Sequence, residues 1–250
     1  MKMLAKGSIG ALLLTAAMSV AAYPVNLDSV SGEWKSPVGG SNVQGVGSES
    51  IRWGTGEESC SGILWWRECS NGPQSGFSFE GPNNLPQTLT SNDPFVLGTF
   101  THFNNRITGD SISGAALDVY ASFSTNPSNG NITGPYTFDF SHTETPNKHC
   151  GPLAFIFGCS SRDVDDVVRL DSMIESTEFQ YGSNIYWLSL LGFEGGIKEI
   201  STSEGDATSV NLLAKLNVRS VPVDVPEPGT IALLGLGLAG LGMARRRKAA

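Results

Sequence analysis

The stretch Val210-Asn211-Leu212-Leu213-Ala214-Lys215-Leu216-Asn217-Val218-Arg219 decides the fold class. Val210, Leu212, Ala214, Leu216 and Val218 alternate with Asn211, Leu213, Lys215, Asn217 and Arg219. Successive side chains of a strand point to opposite faces, so this pattern predicts a strand with one buried side. Ala115, Leu117, Val119, Ala121 and Phe123 repeat it, and so do Tyr136, Phe138 and Phe140. Further strand candidates lie at residues 48–53, 76–80, 95–103, 164–170, 177–181 and 185–193. Clusters of Gly, Pro, Asn and Ser separate them, as at 81–84 and 125–134. Nothing between residues 23 and 221 carries a helical period. About nine or ten short strands predict an all-β chain built as a single antiparallel β-sandwich, with a jelly roll as one version of it.

The ends of the 250-residue chain differ from this body. Residues 1–22 have the three parts of a secretory signal peptide. Lys2 and Lys6 come first, residues 9–17 are apolar, and small residues follow, with cleavage after Ala21 or Ala22. Residues 222–250 have a different order: Pro226-Glu227-Pro228-Gly229, an apolar run at 230–244, then Arg245-Arg246-Arg247-Lys248. The apolar run would be roughly 22 Å long as a helix, against a bilayer core of about 30 Å. It is therefore a marginal transmembrane helix that leans on snorkelling from the arginines. The basic cluster favours the cytoplasmic side, which places the body outside the cytoplasmic membrane.

Charge follows the same division. The whole chain has 16 Lys+Arg and 24 Asp+Glu, a formal net charge of −8. Six of the basic residues lie in the two ends, so residues 23–224 keep 10 basic and 23 acidic groups, a net of −13. An acidic body of this kind repels a phosphate backbone, which excludes nucleic acid as a partner. It suits a hydrated extracellular matrix. Four cysteines, Cys60, Cys69, Cys150 and Cys159, form an even set in an exported chain, and disulfides are the default there. Three pairings are open. The equal spacing, eight residues inside each pair, favours 60–69 and 150–159.

Three groups could carry chemistry. In Thr101-His102-Phe103-Asn104, strand geometry puts His102 and Asn104 on one face. Around His142-Thr143-Glu144-Thr145-Pro146-Asn147-Lys148-His149, two imidazoles and a carboxylate resemble a zinc-like donor set. All three histidines of the chain sit in these two segments and could approach one another. For both groups, which include Asn147, the simpler expectation is a structural hydrogen-bond network. Asp163, Asp165 and Asp166 offer hard oxygens to calcium but lack an EF-hand's glycine and distal glutamate. No cofactor beyond that weak calcium option is expected, and no transition metal. Neither a nucleophile elbow nor a metalloprotease, Walker or dinucleotide pattern is present. The expectation is a chain that is not an enzyme, with no catalytic residue.

Val-Pro-Glu-Pro-Gly, a Gly/Ala/Leu-rich span and a terminal arginine cluster resemble the PEP-CTERM sorting tail of Gram-negative bacteria. The resemblance implies that Pro226, Glu227, Pro228, Arg245, Arg246 and Arg247 form a signal read by exosortase, a membrane protease/transpeptidase. Five body segments resemble the THxN family of PEP-CTERM proteins. They are Val30-Ser31-Gly32-Glu33-Trp34, Ser50-Ile51-Arg52-Trp53-Gly54, Gln74-Ser75-Gly76-Phe77-Ser78-Phe79, Leu97-Gly98-Thr99-Phe100-Thr101-His102-Phe103-Asn104 and Glu144-Thr145-Pro146-Asn147. That resemblance implies no enzyme activity. The chain thus reads as a Sec-exported exosortase substrate, transiently anchored in the inner membrane and then delivered to the surface or an exopolysaccharide matrix. Its expected role there is structural or adhesive. A carbohydrate-binding module using Trp65-Trp66 or Tyr186-Trp187 is the alternative, and a secreted hydrolase a more distant one.

Overall fold

In the computed structural model, the described residues are 23–62, 64–124, 131–145, 148–149, 160–161, 165–171, 178–181, 183–221 and 230–248. The expected signal peptide, Cys150, Cys159, Asn147, Asp163, Pro226, Glu227 and Pro228 lie outside them. In chain order the strands begin with β1 Val25–Gly39, β2 Ser50–Trp53, β3 Thr55–Gly56, β4 Glu58–Ser61, β5 Glu68–Asn71 and β6 Ser75–Glu80. There follow β7 Gln87–Leu89, β8 Phe95–Phe103, β9 Ile107–Thr108, β10 Ile112–Ser124, β11 Asn131–Thr143 and β12 Lys148–His149. The last six are β13 Ser160–Ser161, β14 Asp166–Leu170, β15 Phe179–Tyr181, β16 Asn184–Phe193, β17 Glu199–Thr202 and β18 Ala207–Ser220.

Two six-stranded sheets dominate, in the orders β17-β14-β11-β10-β1-β7 and β15-β16-β18-β8-β6-β2. Their strand pairs are antiparallel. The all-β class expected from the alternation is the one observed. Inward residues follow the period of two: Leu212, Ala214 and Leu216 on β18 are buried, as are Tyr136, Phe138 and Phe140 on β11.

Aromatic rings join the two sheets. Trp34 on β1 lies 5.2 Å from Phe77 on β6 and 5.9 Å from Phe100 on β8. Phe100 stacks on Phe140 of the facing sheet at 5.1 Å. Offset and edge contacts of this kind add to the gain from removing apolar area from water. The sheets therefore face each other across one core, as a β-sandwich.

The longest strand, β1, is absent from the sequence candidates. Register shifts between Leu27 and Ser29 and between Lys35 and Val38 break its period, so its inward residues do not alternate along the whole strand. The chain ends in the helix α1, Thr230–Lys248, which includes the basic cluster. Among the described residues, no helix is long and apolar enough to cross a membrane.

Candidate functional site

The inward faces of four strands bring polar side chains together inside the sandwich. On β8, alternation turns His102 inward while Thr101 and Phe103 face out, where Phe103 lies under the Arg52 guanidinium at 4.0 Å. Asn104, just past that strand, is also buried. On β11 the same period buries His142 two residues after Phe140. Asp166 opens β14 and pairs with Thr202 of β17 in register, and both are buried. The two imidazoles, from opposite sheets, meet at 5.1 Å between ring centroids. Phe77 packs edge-on against both, at 5.4 and 5.7 Å, and Trp53 lies 5.3 Å from His142.

Hydrogen bonds hold the outer side of this group. His102 Nδ1 is 2.9 Å from Thr202 Oγ1, and Asn104 Nδ2 donates to the Thr202 carbonyl at 2.9 Å. His142 Nδ1 donates to the Ile112 carbonyl at 2.9 Å, with Ser111 Oγ 3.2 Å away. A carbonyl only accepts, so Nδ1 of His142 carries the hydrogen. Asp166 Oδ1 accepts from the Thr145 N–H at 2.9 Å and from its hydroxyl at 3.0 Å. Glu144 hydrogen-bonds Asp166 and Ser111. The inner atoms differ: His102 Nε2, His142 Nε2 and Asp166 Oδ2 are buried without a hydrogen-bond partner. His142 Nε2 and Asp166 Oδ2 are 3.4 Å apart. One donor atom from each of His102, His142 and Asp166 lies within 4.8 Å of the others.

Burial, reinforced by His142 and opposed by Asp166, lowers the His102 imidazole to about 3. Burial, with the charge and hydrogen bond of Asp166, raises the Glu144 carboxyl to about 7. Burial alone would raise Asp166, but the His142 ring, the Thr145 N–H and Glu144 outweigh it and lower its pKa. The shifts of His102 and Glu144 act on stability in opposite senses. From about pH 6.5 down to 3 the unfolded chain protonates His102 and the folded chain does not, so stability falls as pH falls. From 4.5 up to about 7 the folded chain keeps the Glu144 proton and the unfolded chain loses it, so stability falls as pH rises. The effects oppose each other between 4.5 and 6.5. Below pH 4.5 the His102 effect stands alone of the two, with a slope approaching about 1.4 kcal/mol per pH unit. Urea midpoints of chelator-treated protein should therefore fall more steeply below pH 4.5 in the wild type than in His102→Gln.

The sequence grouped neighbours, while the fold groups distant residues. His142 meets His102 and Asp166, and Glu144 joins them. Of the calcium candidates, Asp166 turns inward, while Asp165 is exposed and accepts from Ser203 Oγ at 2.8 Å. Thr202 and Ser111 carried no signal in the sequence, because their importance comes only from strand register.

A second feature stands on the surface. β4 and β5 form a hairpin in which Cys60 lies opposite Cys69, and the two form a disulfide. A 3-10 turn at Leu64–Trp66 crosses its tip, where Trp65 and Trp66 are 88% and 81% exposed. Gly62 enters the tip at φ +102°, and a side chain there would strike the Trp66 carbonyl. Glu58, Cys60 and Cys69 also cluster, but both sulfurs are committed to the disulfide. Of the other aromatic pair, Tyr186 is buried in the core and Trp187 is only partly exposed.

The family model for the PEP-CTERM protein-sorting motif matches residues 224–248. No curated protein matches the chain. The motif implies an exported protein processed by exosortase and sorted to the cell surface. Arg245, Arg246 and Arg247 of that signal are exposed on α1.

Proposed function

We propose that this protein, which carries a PEP-CTERM sorting tail, is a non-catalytic component of the cell surface or exopolysaccharide matrix and holds polysaccharide through the tip of the β4–β5 hairpin. The observation that carries the reading is the exposed Trp65–Trp66 pair on a disulfide-closed hairpin. Large indole faces rarely stay in water without a partner, and sugar C–H faces stack on them. The disulfide limits the freedom of the tip, so less order has to be gained on binding. The acidic body suits a neutral rather than an anionic polymer. We also assign the body to the THxN family. In support, four of its five segments supply Trp34, Trp53, Phe77 and His102, which pack around one point. In this reading the tail helix, too short and too little apolar to cross a bilayer alone, holds the chain at the membrane before processing with its arginines at the surface.

The test is binding of the full chain to a panel of immobilised neutral and acidic polysaccharides. Trp65→Ala/Trp66→Ala should weaken binding at least about tenfold while leaving stability within roughly 0.5 kcal/mol, because both side chains are exposed. Unchanged binding in that variant would remove the hairpin from the proposal.

A further inference from the structure

We propose that His102 Nε2, His142 Nε2 and Asp166 Oδ2 hold one divalent first-row transition-metal ion between the two sheets. The site is separate from the surface hairpin and does not depend on its role. All three atoms are buried without a hydrogen-bond partner, and each belongs to a side chain whose other polar atom is already held. Thr202 holds His102, the Ile112 carbonyl holds His142, and Thr145 holds Asp166. Metal-binding histidines and carboxylates are supported from behind in this way.

The His142 tautomer strengthens the case. With the hydrogen on Nδ1, His142 Nε2 faces Asp166 Oδ2 at 3.4 Å either as a bare lone pair or as the second N–H of an imidazolium, the form in which the ring lowers the Asp166 pKa. Two electron-rich atoms at that distance require a positive charge between them. A proton can serve that pair, but it leaves His102 Nε2 buried and unsatisfied. A metal ion serves all three donors at once. Donors on a tetrahedral zinc stand about 3.3 Å apart; His142 Nε2 and Asp166 Oδ2 already stand at 3.4 Å, and one donor atom of each of the three residues lies within 4.8 Å of the others. Two imidazoles with a carboxylate suit zinc or its neighbours, whereas calcium takes six to eight oxygens. Such an ion would tie β8 of one sheet to β11 and β14 of the other.

Metal content of the purified full chain, followed by stripping with chelator and titration with zinc and cobalt, tests this. The expected result is one equivalent per chain, visible ligand-field absorption with cobalt, and a melting temperature raised by about 5–10 °C at a hundredfold excess over Kd. His102→Gln and Asp166→Asn should each lose the absorption and the shift. The wild-type titration decides the matter even if a variant fails to fold. No binding and no shift in the wild type would overturn the proposal, as would equal binding by both variants. In the first case, ring N–H signals from both nitrogens of His142 by NMR would identify a proton in place of the metal.

Discussion

Phe77→Ala is expected to lower the stability of the sandwich by about 3–5 kcal/mol, the usual cost of emptying a buried phenylalanine site. Phe77 is fully buried and touches Trp34, Trp53, Phe100, His102 and His142. These partners come from both sheets, so the surroundings cannot collapse onto the cavity without moving one sheet against the other. The loss also opens one wall of the buried polar group, where an unpaired atom costs about 1–3 kcal/mol. Urea denaturation of the two proteins measures the difference. Phe103→Ala is the control: that ring faces outward beneath Arg52 and should cost much less. Equal losses in the two variants would mean that Phe77 does not join the sheets.

Glu227→Ala is expected to leave the full-length chain uncleaved in the membrane fraction. Glu227 is an isolated carboxylate between Pro226 and Pro228, within the matched sorting motif. Proline has no backbone N–H, so the charge is the distinctive group a processing enzyme meets. Losing a recognised charge costs about 2–5 kcal/mol, enough to reduce release at least tenfold. Immunoblotting of membrane and released fractions reads the outcome. Release at the wild-type rate would mean that the carboxylate is not recognised.

Much of the fold was legible because burial on one face writes a period of two into the sequence. The candidate at 95–103 coincides with β8, and those at 185–193 and 210–219 fall within β16 and β18. β1 was hidden by its register shifts, and β7 and β17 by their shortness. The polar group was half legible. Strand alternation put His102 and Asn104 on one face, but nothing local joins them to His142, Asp166 and Thr202. Those contacts arise from strand pairing and sheet packing, which link residues tens of positions apart.

The position of β18 also sets the order of events during export. Among the described residues it is the last strand before the tail, yet it lies inside its sheet, between β16 and β8. A chain threaded across the membrane with its N-terminus first delivers β8 and β16 to the far side with a gap between them. Only when residue 220 emerges can that gap be filled, and the sorting tail is by then next in line. In export of that order, final closure of the sandwich and arrival of the sorting signal would be nearly simultaneous, with strand edges open until then.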